Sequence, residues 1–258
     1  MKKDQKLWSR EELILALNLY LKLPFGKLDK RTPEVKHLAW LINRSDNAVS
    51  MRLNNFASVD PFHKQRGIKG LEGGKKQVQP IWDEFIHNKE DLIFESEKIL
   101  ANKENIKFES KYDRIFREVK DLKGEDKIRA VKTRVNQNVF RDIVVANYDC
   151  KCAISGIDIP DLLLASHIVP WTANENERLN PSNGICLSAL YDKAFDKGYF
   201  TITSKYKLLL SPQLIKHRNK DYYEMFFSKL KDASIIKPHK YLPNKEFLEY
   251  HAEAIFKK

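Results

Sequence analysis

Four polar side chains stand at defined spacings in the second half of the sequence. Asn183 follows His167 by sixteen residues, and Asp192 follows Asn183 by nine, with Asp196 four residues further on. A neutral imidazole can take a proton from water, and an asparagine amide can hold a loop and orient that imidazole. Carboxylate oxygens bind hard divalent cations, which stabilise charge on a phosphate and on a leaving oxygen. This combination favours metal-assisted hydrolysis of a phosphodiester.

The pattern around these residues predicts a strand, a loop, a second strand and a helix. The apolar run 162–169 is typical of a short buried strand and carries the histidine. A polar loop over 170–183 returns the chain to a second short strand, 184–187. A helix over 188–197 then places the two aspartates on one face, because residues four apart are neighbours on a helix. We therefore expect the imidazole, the amide and the carboxylates to converge.

In this order and with these spacings, the residues resemble the HNH endonucleases of the ββα-metal fold, in the branch with the patterns SHI-P-W, R-NPSNG-I-L and FD-G. The resemblance extends from about residue 129 to the C-terminus. It implies that His167 is the general base and that Asn183 braces the loop. Asp192 falls at the third motif position, where the family has His or Asn, and is implied to contribute to the metal site. Asp196 is either a second ligand or a structural cap.

The resemblance also implies a reaction and a role. It implies a DNA endonuclease that acts on double-stranded DNA, leaves 5′-phosphate and 3′-hydroxyl ends, and serves in restriction or DNA defence. Mg²⁺ is the expected ion, with Mn²⁺, Ni²⁺ and Zn²⁺ as alternatives. A single HNH site cuts one strand, so cleavage of both strands would need a homodimer or two events, and the sequence shows no interface signal either way.

One position departs from the pattern of many HNH enzymes. They place Asp or His just before the general base as a metal ligand, whereas this chain has Ser166. A hydroxyl is a weaker ligand, so metal affinity is expected to be modest, or ligation to rest on the two aspartates. The branch named above shares this serine. A DNA-binding regulator with an inert HNH domain remains an alternative.

Several basic residues near the motif have two interpretations. Arg178 could clamp the scissile phosphate, or it could pair with Glu175 or the nearby Glu177. Lys193 could likewise contact phosphate, or Lys193 and Lys197 could simply pair with Asp192 and Asp196. Arg134 and Arg141 lie on one stripe of the preceding helix, where they could follow the backbone of a duplex or tie the helix to the ββα core.

The three cysteines do not form a zinc site at normal spacing. Cys150 and Cys152 stand in a C-x-C pattern, and the third cysteine is Cys186, so two CxxC pairs are not available. We expect no structural zinc and interpret the cysteines as small buried side chains. So few cysteines point to a reducing compartment.

The N-terminal region predicts three short helices that begin near residues 10, 33 and 45. The Trp-Ser-Arg-Glu-Glu start of the first helix resembles Myb/SANT-like modules, and residues 43–53 resemble the recognition helix of helix-turn-helix folds. This resemblance implies that polar side chains of the third helix read base edges. They are Asn47, Ser50, Arg52, Asn54 and Asn55. The alternative is a helical scaffold with a polar outer face.

Length and charge suggest two domains with basic surfaces. The chain has 258 residues, 42% of them hydrophobic, and a formal net charge of +11. Residues 1–80 carry 16 basic and 8 acidic side chains, residues 81–125 carry 9 and 12, and residues 126–258 carry 21 and 15. Two basic ends suit a polyanion, although an acidic protein partner or a generally Lys-rich surface would also fit.

The predicted fold class is α+β. We expect a helical DNA-binding module over 1–80, an acidic helical linker over 81–125 and an HNH nuclease domain over 126–258. No apolar run reaches the length of about 18 residues that a membrane span needs, and the charged start of the chain has no apolar signal region. A cytoplasmic location without a membrane partner is therefore expected.

Overall fold

The computed structural model describes residues 7–23, 25–65, 67 and 70–258. The expectation of no secretory signal used the charged start of the chain, and residues 1–6 of that stretch lie outside these ranges. The helices are α1 (Arg10–Lys22), α2 (Pro33–Leu41), α3 (Asp46–Val59), α4 (Pro61–Gln65), α5 (Lys75–Phe85), α6 (Lys89–Lys103), α7 (Phe108–Lys111), α8 (Asp113–Glu118), α9 (Gly124–Asn147), α10 (Ala189–Asp196), α11 (Pro212–Ile215), α12 (Asp221–Phe226) and α13 (Lys245–Ala254). The strands are β1 (Leu163–His167), β2 (Gly184–Ser188), β3 (Phe200–Ile202) and β4 (Leu208–Leu210). The predicted α+β class is confirmed.

The chain divides into two compact units, residues 1–139 and 140–258, and the boundary falls within α9. The expected segment boundaries at residues 80 and 125 do not coincide with this division. The first unit contains the three predicted N-terminal helices together with the acidic region, and the second contains the strands.

The first unit is built on an apolar helical core. Ser9 and Glu12 form a capping box at the start of α1, which satisfies backbone N–H groups that the first helical turn leaves unpaired. The core includes Ile14, Phe56 and Trp82 from three different helices, and Leu92 of α6 joins them. Part of the segment expected to be a linker thus packs into this core, because α6 presents apolar side chains to α1.

The second unit places two antiparallel strands beside a helix. The register of β1 and β2 runs from Leu163 opposite Ser188 to His167 opposite Gly184. α10 follows β2 directly and packs against both strands, while β3 and β4 form a separate antiparallel pair. The strand–loop–strand–helix order predicted from the sequence is therefore present, with β1 somewhat shorter than the apolar run that predicted it.

Gly184 allows the close approach of α9 to β2. A Cβ atom at this position would lie 2.4 Å from Val144 Cγ2 and 2.9 Å from Phe140 Cζ. A side chain there would displace the side chains of Val144 and Phe140, so this glycine allows Phe140 to lie close to β2.

None of the helices in the described ranges has both the length and the apolar character that a membrane crossing requires.

Candidate active site

Three contacts fix the ring of His167. It stacks on Phe140, with 4.2 Å between ring centroids and 14° between planes, and it makes a T-shaped contact with Trp171 at 5.4 Å between centroids. Its Nε2 lies 2.9 Å from the carbonyl oxygen of Arg178. A carbonyl oxygen only accepts hydrogen bonds, so Nε2 carries the proton and Nδ1 of the neutral ring holds a free electron pair. Within the described part of the chain, Nδ1 has no hydrogen-bond partner.

The surroundings of His167 favour the neutral ring. Burial lowers the pKa of His167 below its ordinary value, against the opposing effects of the Arg178 carbonyl and the Asp192 carboxylate. Desolvation disfavours the charged imidazolium, which explains the direction of this shift. At neutral pH the ring is therefore a base that is ready to accept a proton at Nδ1.

Asn183 holds the loop between β1 and β2. It is 1% exposed. Its Oδ1 accepts a hydrogen bond from the Val169 N–H at 2.8 Å, and its Nδ2 donates to the carbonyls of Val169 and Glu177. Glu177 precedes Arg178, whose carbonyl orients His167. Asn183 thus fixes both the end of β1 and the segment that supplies the partner of the imidazole, without touching the ring itself.

A cavity of about 420 Å³ lies beside His167 in the second unit. Its walls contain five of the residues that the sequence identified as candidates, and they bring the imidazole and both carboxylates to one space. These residues are Ser166, His167, Asp192, Lys193 and Asp196. Trp171, Lys197, His251 and Ile255 complete much of the remaining wall.

The two aspartates face this cavity without direct partners. In the described chain, neither Asp192 nor Asp196 makes a hydrogen bond or a direct ion pair, so the alternative in which they pair with Lys193 or Lys197 is not seen. Burial, and then the neighbouring charge of Asp192, raise the pKa of Asp196, whereas the two lysines act in the opposite direction. Two carboxylates one helical turn apart that have no direct partner among the described residues are suited to a cation.

The carboxylates of the cavity suit a hard cation that keeps several of its waters, rather than a cation enclosed by protein ligands alone. Over the residues that the structure describes, no group of three or more His, Cys, Asp or Glu side chains could hold a metal ion. Mg²⁺ binds through one or two carboxylates, substrate phosphates and several waters, so Asp192 and Asp196 meet that requirement. The buried Oγ of Ser166, the third predicted ligand, has no hydrogen-bond partner among the described residues, and Ser166 lines the same cavity.

The basic residues that could contact phosphate differ in their partners and in whether they line the cavity. Arg178 donates from Nε to the Trp171 carbonyl at 2.7 Å and pairs with Glu175 at 2.9 Å, so the structure favours its structural interpretation. Arg141 donates to the carbonyls of Pro160 and Leu163 and thereby ties α9 to the start of β1. Arg134 pairs with Glu118 in the first unit at 3.4 Å. Of the predicted phosphate contacts, Lys193 lines the cavity.

The predicted base-reading residues of α3 are mostly engaged within the first unit. Arg52 is 9% exposed and lies over the Trp8 ring at 4.8 Å. Asn55 is buried and donates to the Leu71 carbonyl.

Two further polar side chains of α3 also have backbone partners. Ser50 donates to the Leu28 carbonyl, and Asn54 donates to the carbonyl of Ser50. Asn47 is exposed on the helix surface. Asn47, whose Nδ2 donates to the Met51 sulfur at 3.5 Å, is thus the exposed member of the predicted set. Polarity in a sequence does not distinguish an outward side chain from one bonded inside.

The cysteines divide by position. Cys152 and Cys186 are buried, whereas Cys150 is exposed, which differs from the expectation of buried side chains for all three. The Cys152 Sγ accepts hydrogen bonds from the N–H groups of Ser155 and Ser188. This sulfur therefore links the turn after α9 to the start of α10.

Sequence reasoning missed the contribution of α13. His251 and Ile255 line the cavity although they lie far along the chain from the motif. The apolar spacing of residues 245–256 predicts a helix, but nothing in it indicates what that helix packs against. Lys197 was also missed as a wall residue, since it was considered only as a partner for the aspartates.

Residues 152–203 match the family model described as HNH endonuclease. This segment contains β1, the loop, β2, α10 and β3, and therefore His167, Asn183 and Asp192. The resemblance to HNH endonucleases is confirmed for this segment, and it indicates nuclease activity acting on nucleic acid. A comparison of the chain with curated proteins found no match. The resemblance of the N-terminal helices to helix-turn-helix modules stays a prediction.

Proposed function

We propose that this protein is a metal-dependent DNA endonuclease that hydrolyses phosphodiester bonds in the cavity beside His167. One observation carries the proposal. An oriented, neutral histidine with an unprotonated Nδ1 lines the same cavity as two carboxylates that make no hydrogen bond or direct ion pair within the described residues, and this cavity lies largely in the segment that matches HNH endonucleases.

His167 acts as the general base. Its Nδ1 accepts a proton from the water that attacks the phosphorus atom, and the ring becomes an imidazolium. The Arg178 carbonyl and the Asp192 carboxylate both favour this charged form, so they offset part of the cost of burying it. Phe140 and Trp171 keep the ring plane constant while the proton moves.

The carboxylates and lysines organise the phosphate. Asp192 and Asp196 would hold the divalent cation, with Mg²⁺ the expected ion. When bound, this cation supplies charge stabilisation at the phosphate and the leaving oxygen. Lys193 and Lys197 bring positive charge to the same cavity wall, where it attracts the diester backbone. The proposed products carry 5′-phosphate and 3′-hydroxyl ends.

Double-stranded DNA is the proposed substrate. The net charge of +11, with excess basic residues in both 1–80 and 126–258, supports binding to a polyanion. A role in restriction or DNA defence is the one that the resemblance implies. Cleavage of modified and unmodified DNA, with the ends mapped, tests that role.

Two observations favour a second candidate, a DNA-binding regulator with an inert HNH domain. The described residues contain no cluster of three metal-binding side chains, and a serine precedes the base. In that case the aspartates would have a structural role only and the protein would cut nothing.

Plasmid cleavage separates these two functions. The purified protein is incubated with supercoiled plasmid and Mg²⁺, Mn²⁺ or Ni²⁺, with and without a chelator. We expect nicked or linear product that the chelator abolishes, a large loss of activity in Asp192→Ala, and wild-type activity in the control Asp221→Ala, a matched change of an exposed aspartate outside the cavity. Binding without cleavage under every cation would support the regulator instead.

A further inference from the structure

α13 contributes a buried histidine to the wall of the cavity, outside the segment that matches HNH endonucleases. His251 is 1% exposed and lines the cavity. Its ring stacks on Phe195 with 3.7 Å between centroids and 3° between planes. Phe195 lies on α10 between Asp192 and Asp196, so His251 packs directly against the helix that carries both carboxylates.

Both ring nitrogens of His251 have defined partners. Nε2 lies 3.2 Å from the Phe195 carbonyl, and Nδ1 lies 2.9 Å from the Thr201 hydroxyl. Because the carbonyl only accepts, Nε2 carries the proton and Nδ1 accepts from Thr201. The imidazole therefore links α13 to the last turn of α10 and to β3, and it has no free nitrogen with which to act as a base.

The chain after α13 makes a second close contact with the end of α10. Gly198 has a φ of +67°, and a Cβ atom there would lie 2.1 Å from the Ile255 carbonyl oxygen. The Lys257 N–H donates to the Gly198 carbonyl at 3.0 Å. α10 is thus held at its C-terminal end by two separate groups of the C-terminal segment.

We propose that His251 is a positioning residue that fixes α10 so that Asp192 and Asp196 face His167 across the cavity. This inference rests on the proposed function, since it assigns those carboxylates to the reaction. It extends the nuclease machinery beyond residues 152–203 to the C-terminal helix. A histidine suits this task because one ring provides a donor, an acceptor and a flat stacking face at the same time.

The test compares three substitutions in the full-length protein. His251→Phe keeps the stacking face and removes both hydrogen bonds. His251→Gln offers a donor near the position of Nε2 and so restores the bond to Phe195. Leu248→Ala is the control, because Leu248 is fully buried on the same helix but does not line the cavity.

The first measurement is hydrogen exchange of the backbone amides in residues 189–198. We expect exchange there to accelerate about tenfold in His251→Phe, as local opening of α10 becomes easier, with partial recovery in His251→Gln. The second measurement is kcat and KM for DNA cleavage, with kcat expected to fall about tenfold in His251→Phe and KM to stay constant. Leu248→Ala is expected to lower overall stability without this local exchange or this kcat loss.

Unchanged exchange and unchanged kcat in His251→Phe would overturn the inference. So would an equal local effect in Leu248→Ala at matched stability, because general loosening of α13 would then explain it. If His251→Phe does not fold, Thr201→Val removes the hydrogen-bond partner of Nδ1 instead, and the same two measurements are made on that variant. A wild-type protein that cuts no DNA would remove the proposed function, while the exchange measurement would still decide whether His251 fixes α10.

Discussion

Burial lowers the pKa of His251 to about 4, although its hydrogen bond to the Phe195 carbonyl acts in the opposite direction. The charged ring would lose its acceptor bond from Thr201 and would be placed where water cannot solvate it. His251 and His167 are therefore both neutral at physiological pH, but their ring nitrogens differ. The Nδ1 of His167 is unprotonated and has no hydrogen-bond partner among the described residues, whereas both nitrogens of His251 are hydrogen-bonded.

The neutral state of His251 makes stability depend on pH. Between its ordinary pKa of 6.5 and its folded pKa of about 4, the unfolded chain binds more protons than the folded one. The full free energy of unfolding is therefore present above pH 6.5. As pH falls towards 4, protonation of His251 in the unfolded chain lowers this free energy by a total on the order of 3 kcal/mol. We predict that the free energy of unfolding of wild type falls towards that of His251→Phe over this range.

Denaturant unfolding of both proteins at several pH values between neutral and about 4 tests this prediction. The charged groups that share the cavity, Asp192, Lys193, Asp196 and Lys197, are present in both proteins, so their titration largely cancels in the comparison. A difference in unfolding free energy that is the same at every pH would contradict the assignment.

The strands and the helix of the site follow from local sequence patterns. The apolar run around Leu163, the turn-forming residues before Gly184 and the helical spacing after Ser188 were sufficient to predict β1, β2 and α10. The pairing of His167 with Gly184 follows once the loop brings the strands together. Local patterns do not encode what a distant helix covers, which is why the sequence did not place α13 at the cavity.

The same limit explains the residues of α3. Its sequence shows that Arg52 and Asn55 are polar, and this property predicted an exposed face. Whether a polar side chain points outward depends on its tertiary partners, here Trp8 and the Leu71 carbonyl. Those partners lie 44 and 16 residues away in the sequence, beyond the reach of helical periodicity.

Packing between α9 and β2 gives a direct test of how the histidine is supported. In Gly184→Ala the new methyl group would press on Val144 and Phe140, and Phe140 is the ring on which His167 stacks. We predict that this variant loses about 1–3 kcal/mol of unfolding free energy, as overpacked cores do, and that its kcat falls because the ring plane of His167 tilts.

Gly73→Ala is the matched control, because a Cβ atom at Gly73 would meet nothing within 4 Å. Its stability should stay within about 0.5 kcal/mol of wild type, as for most surface substitutions. Thermal unfolding and cleavage rates are measured for both variants. Wild-type kcat in a destabilised Gly184→Ala would show that the stacking on Phe140 does not orient the base.

The division of the whole chain was the least predictable feature. Charge suggested an acidic linker between two basic domains, but α6 of that region carries Leu92 and Ile99 into the core of the first unit. Net charge over a segment reports its exposed face and says little about the face it buries. The boundary found within α9 has no composition change that would reveal it.

DNA binding and DNA cleavage are expected to depend on different parts of the molecule. Binding draws on the basic excess spread over both ends of the chain, and each neutralised phosphate contributes about −0.9 to the slope of log K against log salt. Under the proposed function, cleavage depends on the cavity of the second unit. A change confined to the base should therefore separate the two.

The most direct measurement is the cleavage rate of His167→Ala beside its affinity for the same duplex. Loss of a general base is expected to lower kcat by about 10²–10⁴, while the Kd for DNA and its salt dependence stay at the wild-type values. Cleavage by His167→Ala at the wild-type rate would contradict the assignment of His167 as the base, and with it the proposed nuclease site.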